Sequence, residues 1–181
     1  MNAATTETGH ATAARKNTVH FEKERGITEV VVVRGNAHIV ARFPVGKVAE
    51  ERLTLLQTLA AENVPVFLVK LIPEGLTFAL RESHVEAGAV LLTAQNVNHV
   101  LQRDLAAITI MAGAMRDLSG IMAAIYEALV SAGITVRQTG DAYNAVQCLV
   151  DGTEADRAAS ALRERFGLAR EAETSETVEA G

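Results

Sequence analysis

Tryptophan is absent from this chain of 181 residues, and five Phe and two Tyr are its only aromatic residues. Nucleic-acid bases stack on aromatic platforms, and so few rings scattered through the sequence build none. Basic charge is also short. Lys and Arg number 17 against 22 Asp and Glu, for a net charge of −5, and no basic stripe gathers on any segment. No nucleic-acid partner is expected. The single cysteine, Cys148, excludes an internal disulfide and suits a reducing compartment. It lies in the apolar run Ala145 to Val150 and reads as a small buried hydrophobe. No apolar run approaches the roughly 20 residues of a membrane span, and the N-terminus shows no apolar leader. A cytoplasmic protein without a membrane partner is the expectation.

Chemical motifs are missing as well. There is no glycine-rich phosphate loop, no dinucleotide fingerprint and no G-x-S-x-G elbow. His10, His20, His38, His84 and His99 are scattered, none paired with another at helical spacing, so no metal is expected. Acidic residues such as Glu50, Glu51, Asp156 and Glu164 fall at helix-surface spacing and read as solvated faces. Ser119 stands before Gly120 at a helix start and reads as a cap, with no base to make it a nucleophile. No catalytic residue, cofactor or enzyme activity is expected.

What the sequence does contain is a repeat. Leu59-Ala60-Ala61-Glu62-Asn63-Val64 aligns with Leu129-Val130-Ser131-Ala132-Gly133-Ile134, about 70 residues on. Val85-Glu86-Ala87 and Leu92 align with Ala155-Asp156-Arg157 and Leu162. A fixed offset through several elements marks one supersecondary unit used twice.

The pattern of each copy can be read along the chain. Residues Met1 to Val19 lack periodicity and read as a disordered arm, and 171–181 as a flexible acidic tail. Ile27 to Val33 and Ala37 to Phe43 are strand-like, and Gly35-Asn36 between them reads as a hairpin turn. A helix follows from Val48 to Ala60, then strands at Val64 to Ile72 and Leu76 to Leu80. Ser83 with Glu86 reads as a capping box opening a second helix. Val97 to Leu101 is a short strand. The second copy repeats this: a strand at Ala106 to Met111, a helix from Leu118 to Ala132 ended by Gly133, and a strand at Ile134 to Gln138. A turn at Thr139 to Asp141, a strand at Asn144 to Val150 and a helix capped by Thr153 complete it. Each copy is β-α-β-β-α, the ferredoxin-like split unit, with a closing strand clear in the first. The fold class is α+β: two βαββαβ units in tandem, antiparallel sheets with helices on one face. The divisions are 25–103 and 104–168.

In each copy the first strand runs into a helix through a short loop, Phe43 to Lys47 and then Ala112 to Gly120. The second loop points backbone N–H groups and a helix start at whatever lies above it, a suitable seat for a small carboxylate. The residues that would hold it are Gly113, Ala114, Met115, Arg116, Asp117, Ser119 and Gly120. Arg116 adds charge and Asp117 accepts from an ammonium group.

The stretch Ala107 to Leu129 resembles the second ACT domain of aspartate kinases: a strand, the loop Gly113-Ala114-Met115, and a helix ending Glu127-Ala128-Leu129. Ala132-Gly133-Ile134-Thr135-Val136, the helix Ala158 to Leu168, and Arg25 to Val30 are similar to further segments of that family. The resemblance covers about residues 25 to 168 and is better in the second copy. Leu71-Ile72 stand where the family carries a Gln-Asn pair, and the first loop lacks the family's Asp. No amino-acid kinase domain is present in the sequence. The resemblance implies a non-catalytic regulatory protein that binds an amino acid or similar small ligand, as a homodimer, alone or paired with a kinase. Two alternatives stay open: an interaction module whose ligand site has decayed, and an enzyme on a ferredoxin-like fold.

Overall fold

In a computed structural model, residues 26–113 and 120–168 are described. The arm and tail expected at 1–19 and 171–181 lie outside them. Ten elements follow in order: β1 (Ile27–Arg42), α1 (Val48–Ala61), β2 (Phe67–Ile72), β3 (Gly75–Arg81), α2 (Val85–Ala94), β4 (Asn98–Ala112), α3 (Ile121–Ser131), β5 (Gln138–Asp141), β6 (Ala145–Asp151) and α4 (Ala155–Phe166). All six strands form one antiparallel sheet in the order β2-β3-β1-β4-β6-β5.

The hairpin expected at Gly35-Asn36 does not form. β1 runs straight through as a strand of 16 residues, and β4 likewise joins the two strands expected at 97–101 and 106–111. Gly35 does take a left-handed conformation, φ 70°, but as part of a bulge. Asp104 at φ 57° makes the matching bulge in β4. Between them the register slips from Val33↔Ala107 to Asn36↔Leu105 and then back at His38↔Gln102.

These two bulges decide which way side chains point. In β1, Val30 and Val32 face one apolar core, whereas Ala37, Ile39 and Ala41 face another. The switch from even to odd positions is a one-residue change of alternation, and one residue is enough to turn a strand face over. Without it the two helix pairs would lie on opposite sides of the sheet.

The sheet therefore folds on itself at the bulges. Leu55 and Leu59 of α1 and Val85 and Leu92 of α2 cover one half together with Phe78 and Leu80. Ile125 and Leu129 of α3 and Ala158 and Leu162 of α4 cover the other, with Ile108 and Cys148. The inner faces meet through Ala79, Leu105, Ala107 and Leu149, with Phe67 and Leu68 packed against them. Each half is a ferredoxin-like unit. The fourth strand of the second unit is the first half of β1, which pairs Val30 with Ile110.

Helix starts differ from expectation. Ser83 and Thr153 lie inside single 3-10 turns, Glu82–His84 and Gly152–Glu154, and no side chain caps α2 or α4. Thr139 to Asp141, expected as a turn, belong to strand β5, and β2 begins at Phe67, not Val64.

Candidate functional site

Of the loop residues expected to hold a carboxylate, Gly113 and Gly120 are within the described structure. Ala114, Met115, Arg116, Asp117 and Ser119 lie outside it. Gly113 follows β4 and its N–H donates to the carbonyl of Gly26, 3.3 Å away. Ala112 N–H, one residue earlier, donates to the Asn144 carbonyl at 2.9 Å. The near end of the loop is thereby tied both to the start of β1 and to the approach to β6. At the far end Gly120 stands at the N-cap of α3 with φ 76°, and its carbonyl accepts from Ala124 N–H at 3.0 Å. Among the described residues a Cβ at Gly120 would meet nothing within 4 Å. The left-handed backbone favours glycine there.

The first copy ends its loop in a similar way. Gly46 has φ 88°, Lys47 occupies the N-cap position of α1 with no side-chain cap, and Val45 stands fully in solvent. Glu50 and Glu51 fill the first turn of α1, where an acidic side chain suits the helix dipole and an anionic ligand would be repelled. The first turn of α3 carries no acidic residue.

A group that the sequence reading did not single out lies between the sheet layers. His38, Thr77 and Gln138 are buried together. His38 Nε2 donates to Gln138 Oε1 at 2.8 Å, Thr77 Oγ1 donates to the same oxygen at 2.5 Å, and Gln138 Nε2 donates to the Leu68 carbonyl. An amide oxygen only accepts, so the His38 proton sits on Nε2. Burial lowers the His38 pKa from its ordinary value, and the bond to Gln138 opposes that shift. The signal that could have found this group was the polar trio on otherwise apolar strands.

Two ion-pair clasps were also missed. Arg34, at the β1 bulge, reaches Asp156 and the carbonyl of Gly152 at 2.6 Å each. Arg103, at the β4 bulge, reaches Glu82 and Glu86 at 2.6 Å each. Asp156 and Glu86 are repeat mates, so the clasps mirror one another, each binding the junction of one unit to a helix start. No group of His, Cys, Asp or Glu able to hold a metal occurs among the described residues. None of their helices is long and apolar enough to cross a membrane.

Residues 100–164 match the family model described as the ACT domain. Solved structures resemble a longer stretch. The chain superimposes on aspartokinase α and β subunits with TM-score 0.71 and 17% identity, covering 78% of this chain and 99% of that one. On the ligand-free regulatory subunit of aspartate kinase from Thermus thermophilus the values are 0.69 and 15%, over 78% and 99%. On E. coli aspartokinase III, solved with aspartate and ADP, they are 0.68 and 14%, over 79% of this chain and 34% of that one. This is the fold of an aspartate kinase regulatory region. The ACT model runs from near the start of β4 into α4, and the structural likeness extends the same fold over the first unit. No curated protein matches the chain by sequence.

Proposed function

We propose that the chain is a non-catalytic regulatory protein, a tandem of ACT units that binds an amino acid or a similar small carboxylate. It acts as a homodimer in the cytoplasm, either alone or as the regulatory partner of a kinase. The observation that carries the reading is the likeness to a separate regulatory subunit along 99% of that subunit's length. The units divide near residue 103, with the first half of β1 lent to the second unit. Gly113 to Gly120 is the proposed seat, because a left-handed glycine opens α3 and leaves its first N–H groups to the loop side.

The test is a thermal-shift screen of the twenty amino acids, followed by calorimetry on the best. A ligand that binds only the folded state raises the melting temperature by mass action. Gly120→Val places a branched side chain at φ 76°. It should shift the loop and lower affinity at least tenfold, roughly 1.4 kcal/mol, while the core face Ile125 and Leu129 keeps the fold. Unchanged affinity would place the ligand elsewhere.

An interaction module without ligand is the second reading. Val69 and Leu71, 42% and 66% exposed on the edge strand β2, favour it. Failure of every amino acid to shift the melting temperature, with dimers retained, would select it.

A further inference from the structure

We propose a second ligand site, separate from the Gly113–Gly120 loop: the cavity between the two sheet layers beside Arg81, taking a monocarboxylate with a short apolar tail. The cavity has a volume of about 350 Å³ and is lined by Val33, Asn36, Phe67, Arg81, Ala107 and Gln147 among others. That is the lower range of small-molecule pockets, and the mixture of apolar walls with a few polar groups is typical of them.

Arg81 supplies the charge. Its Nη1 donates to the Arg34 carbonyl at 3.2 Å and to Asn36 Oδ1 at 3.3 Å, which fixes the guanidinium at the cavity wall. Asn36 is itself fully buried, and its Nδ2 donates to the Val33 carbonyl at 2.6 Å. Among the described residues no carboxylate pairs with Arg81. Two parallel N–H groups of a guanidinium match the two oxygens of a carboxylate.

The internal repeat shows what this place looks like when it is filled. Arg81 and Phe67 have Asp151 and Arg137 as their repeat mates. There the two charges satisfy each other: Arg137 Nη2 reaches Asp151 Oδ2 at 2.8 Å, and Gln102 Nε2 donates to Asp151 Oδ1 at 3.1 Å. In the first unit the charge of the Asp151 position is inverted to Arg81, and the Arg137 position is a neutral Phe67. The guanidinium is present and its counter-charge is not. The interior follows the same asymmetry. His38 and Thr77 fill their side of the interlayer space with Gln138, whereas their mates Ala107 and Gln147 line the cavity. An external carboxylate would complete in the first unit the ion pair that the second unit makes internally.

The test is calorimetry with 4-methylpentanoate, beside its neutral amide. The acid should bind and the amide should bind at least tenfold more weakly. Arg81→Gln should lower the affinity for the acid at least tenfold, about the effect of one lost charge-assisted hydrogen bond, with circular dichroism confirming the fold. A second pair of variants leaves Arg81 in place. Phe67→Glu supplies the missing carboxylate from within and should abolish binding of the acid. Phe67→Gln, equal to Glu in size but neutral, should bind the acid at least tenfold more tightly than Phe67→Glu does. Equal binding of acid and amide, full affinity in Arg81→Gln, identical behaviour of the two Phe67 variants, or no binding at millimolar acid would each overturn the proposal.

Discussion

Gln138 is the side chain through which the inner faces of the two units exchange hydrogen bonds. It accepts from His38 and Thr77 in buried bonds and donates to the Leu68 carbonyl in a half-buried one. Gln138→Leu removes one partner and strands three polar groups. Leaving a buried group unsatisfied costs about 1–3 kcal/mol, so urea unfolding should show a loss in that range or above it. His38 adds a pH term. Its folded pKa is lowered, so the unfolded chain takes up the proton first as pH falls through about 6.5. Stability is therefore full above that value and declines below it. Melting temperature should drop between pH 7 and pH 5, and His38→Gln should lessen the drop; an identical slope would assign it to other groups. Cys148 titrates in the opposite sense. Burial pushes its thiol up to about 12, so at pH 8 almost no thiolate is present. Iodoacetamide should fail to label it in the native protein and label it readily in urea.

Two strands, β1 and β4, do most to set the architecture. Their halves belong to different units, and the bulges at Gly35 and Asp104 turn each strand over midway. The alternation of apolar residues on either side of Gly35 was readable, since Val30 and Val32 then Ala37, Ile39 and Ala41 are in the sequence. That the break is a bulge and not a hairpin was not readable, because Gly-Asn serves either and only pairing with β4 decides. The strand-to-strand turn at Gly75 has its own constraint. A Cβ there would lie 1.8 Å from the Ala41 carbonyl oxygen, a backbone atom that cannot swing aside. Gly75→Ala should cost about 3 kcal/mol or more and be seen as loss of soluble folded protein, whereas Gly140→Ala meets only the end of the Leu68 side chain at 2.5 Å and should be milder.

At the scale of the molecule, two like units close on each other and leave β2 and β5 as sheet edges. β5 is short and its Gln138 faces inward. β2 is longer and sets Val69 and Leu71 toward solvent. An unpaired edge with exposed apolar side chains is a template for a second strand. Self-association through β2 is accordingly expected, and Leu71→Lys should convert a dimer to a monomer in sedimentation at micromolar concentration. A parent protein that sediments as a strict monomer removes this expectation.

The sequence alone determined the repeat, the ferredoxin-like order of elements and the burial of Cys148. Each of these depends on local periodicity or on offsets along the chain, which persist whatever the chain packs against. Tertiary structure decided the rest. Arg34 and Arg103 became clasps because the bulges bring them to the helix starts of Asp156 and Glu86. His38, Thr77 and Gln138 met because the sheet folds over, joining residues up to 100 positions apart. The first half of β1 entered the second unit because its pairing with β4 places it there. Such pairings between distant segments depend on register, and register is set by the bulges that only the folded sheet contains.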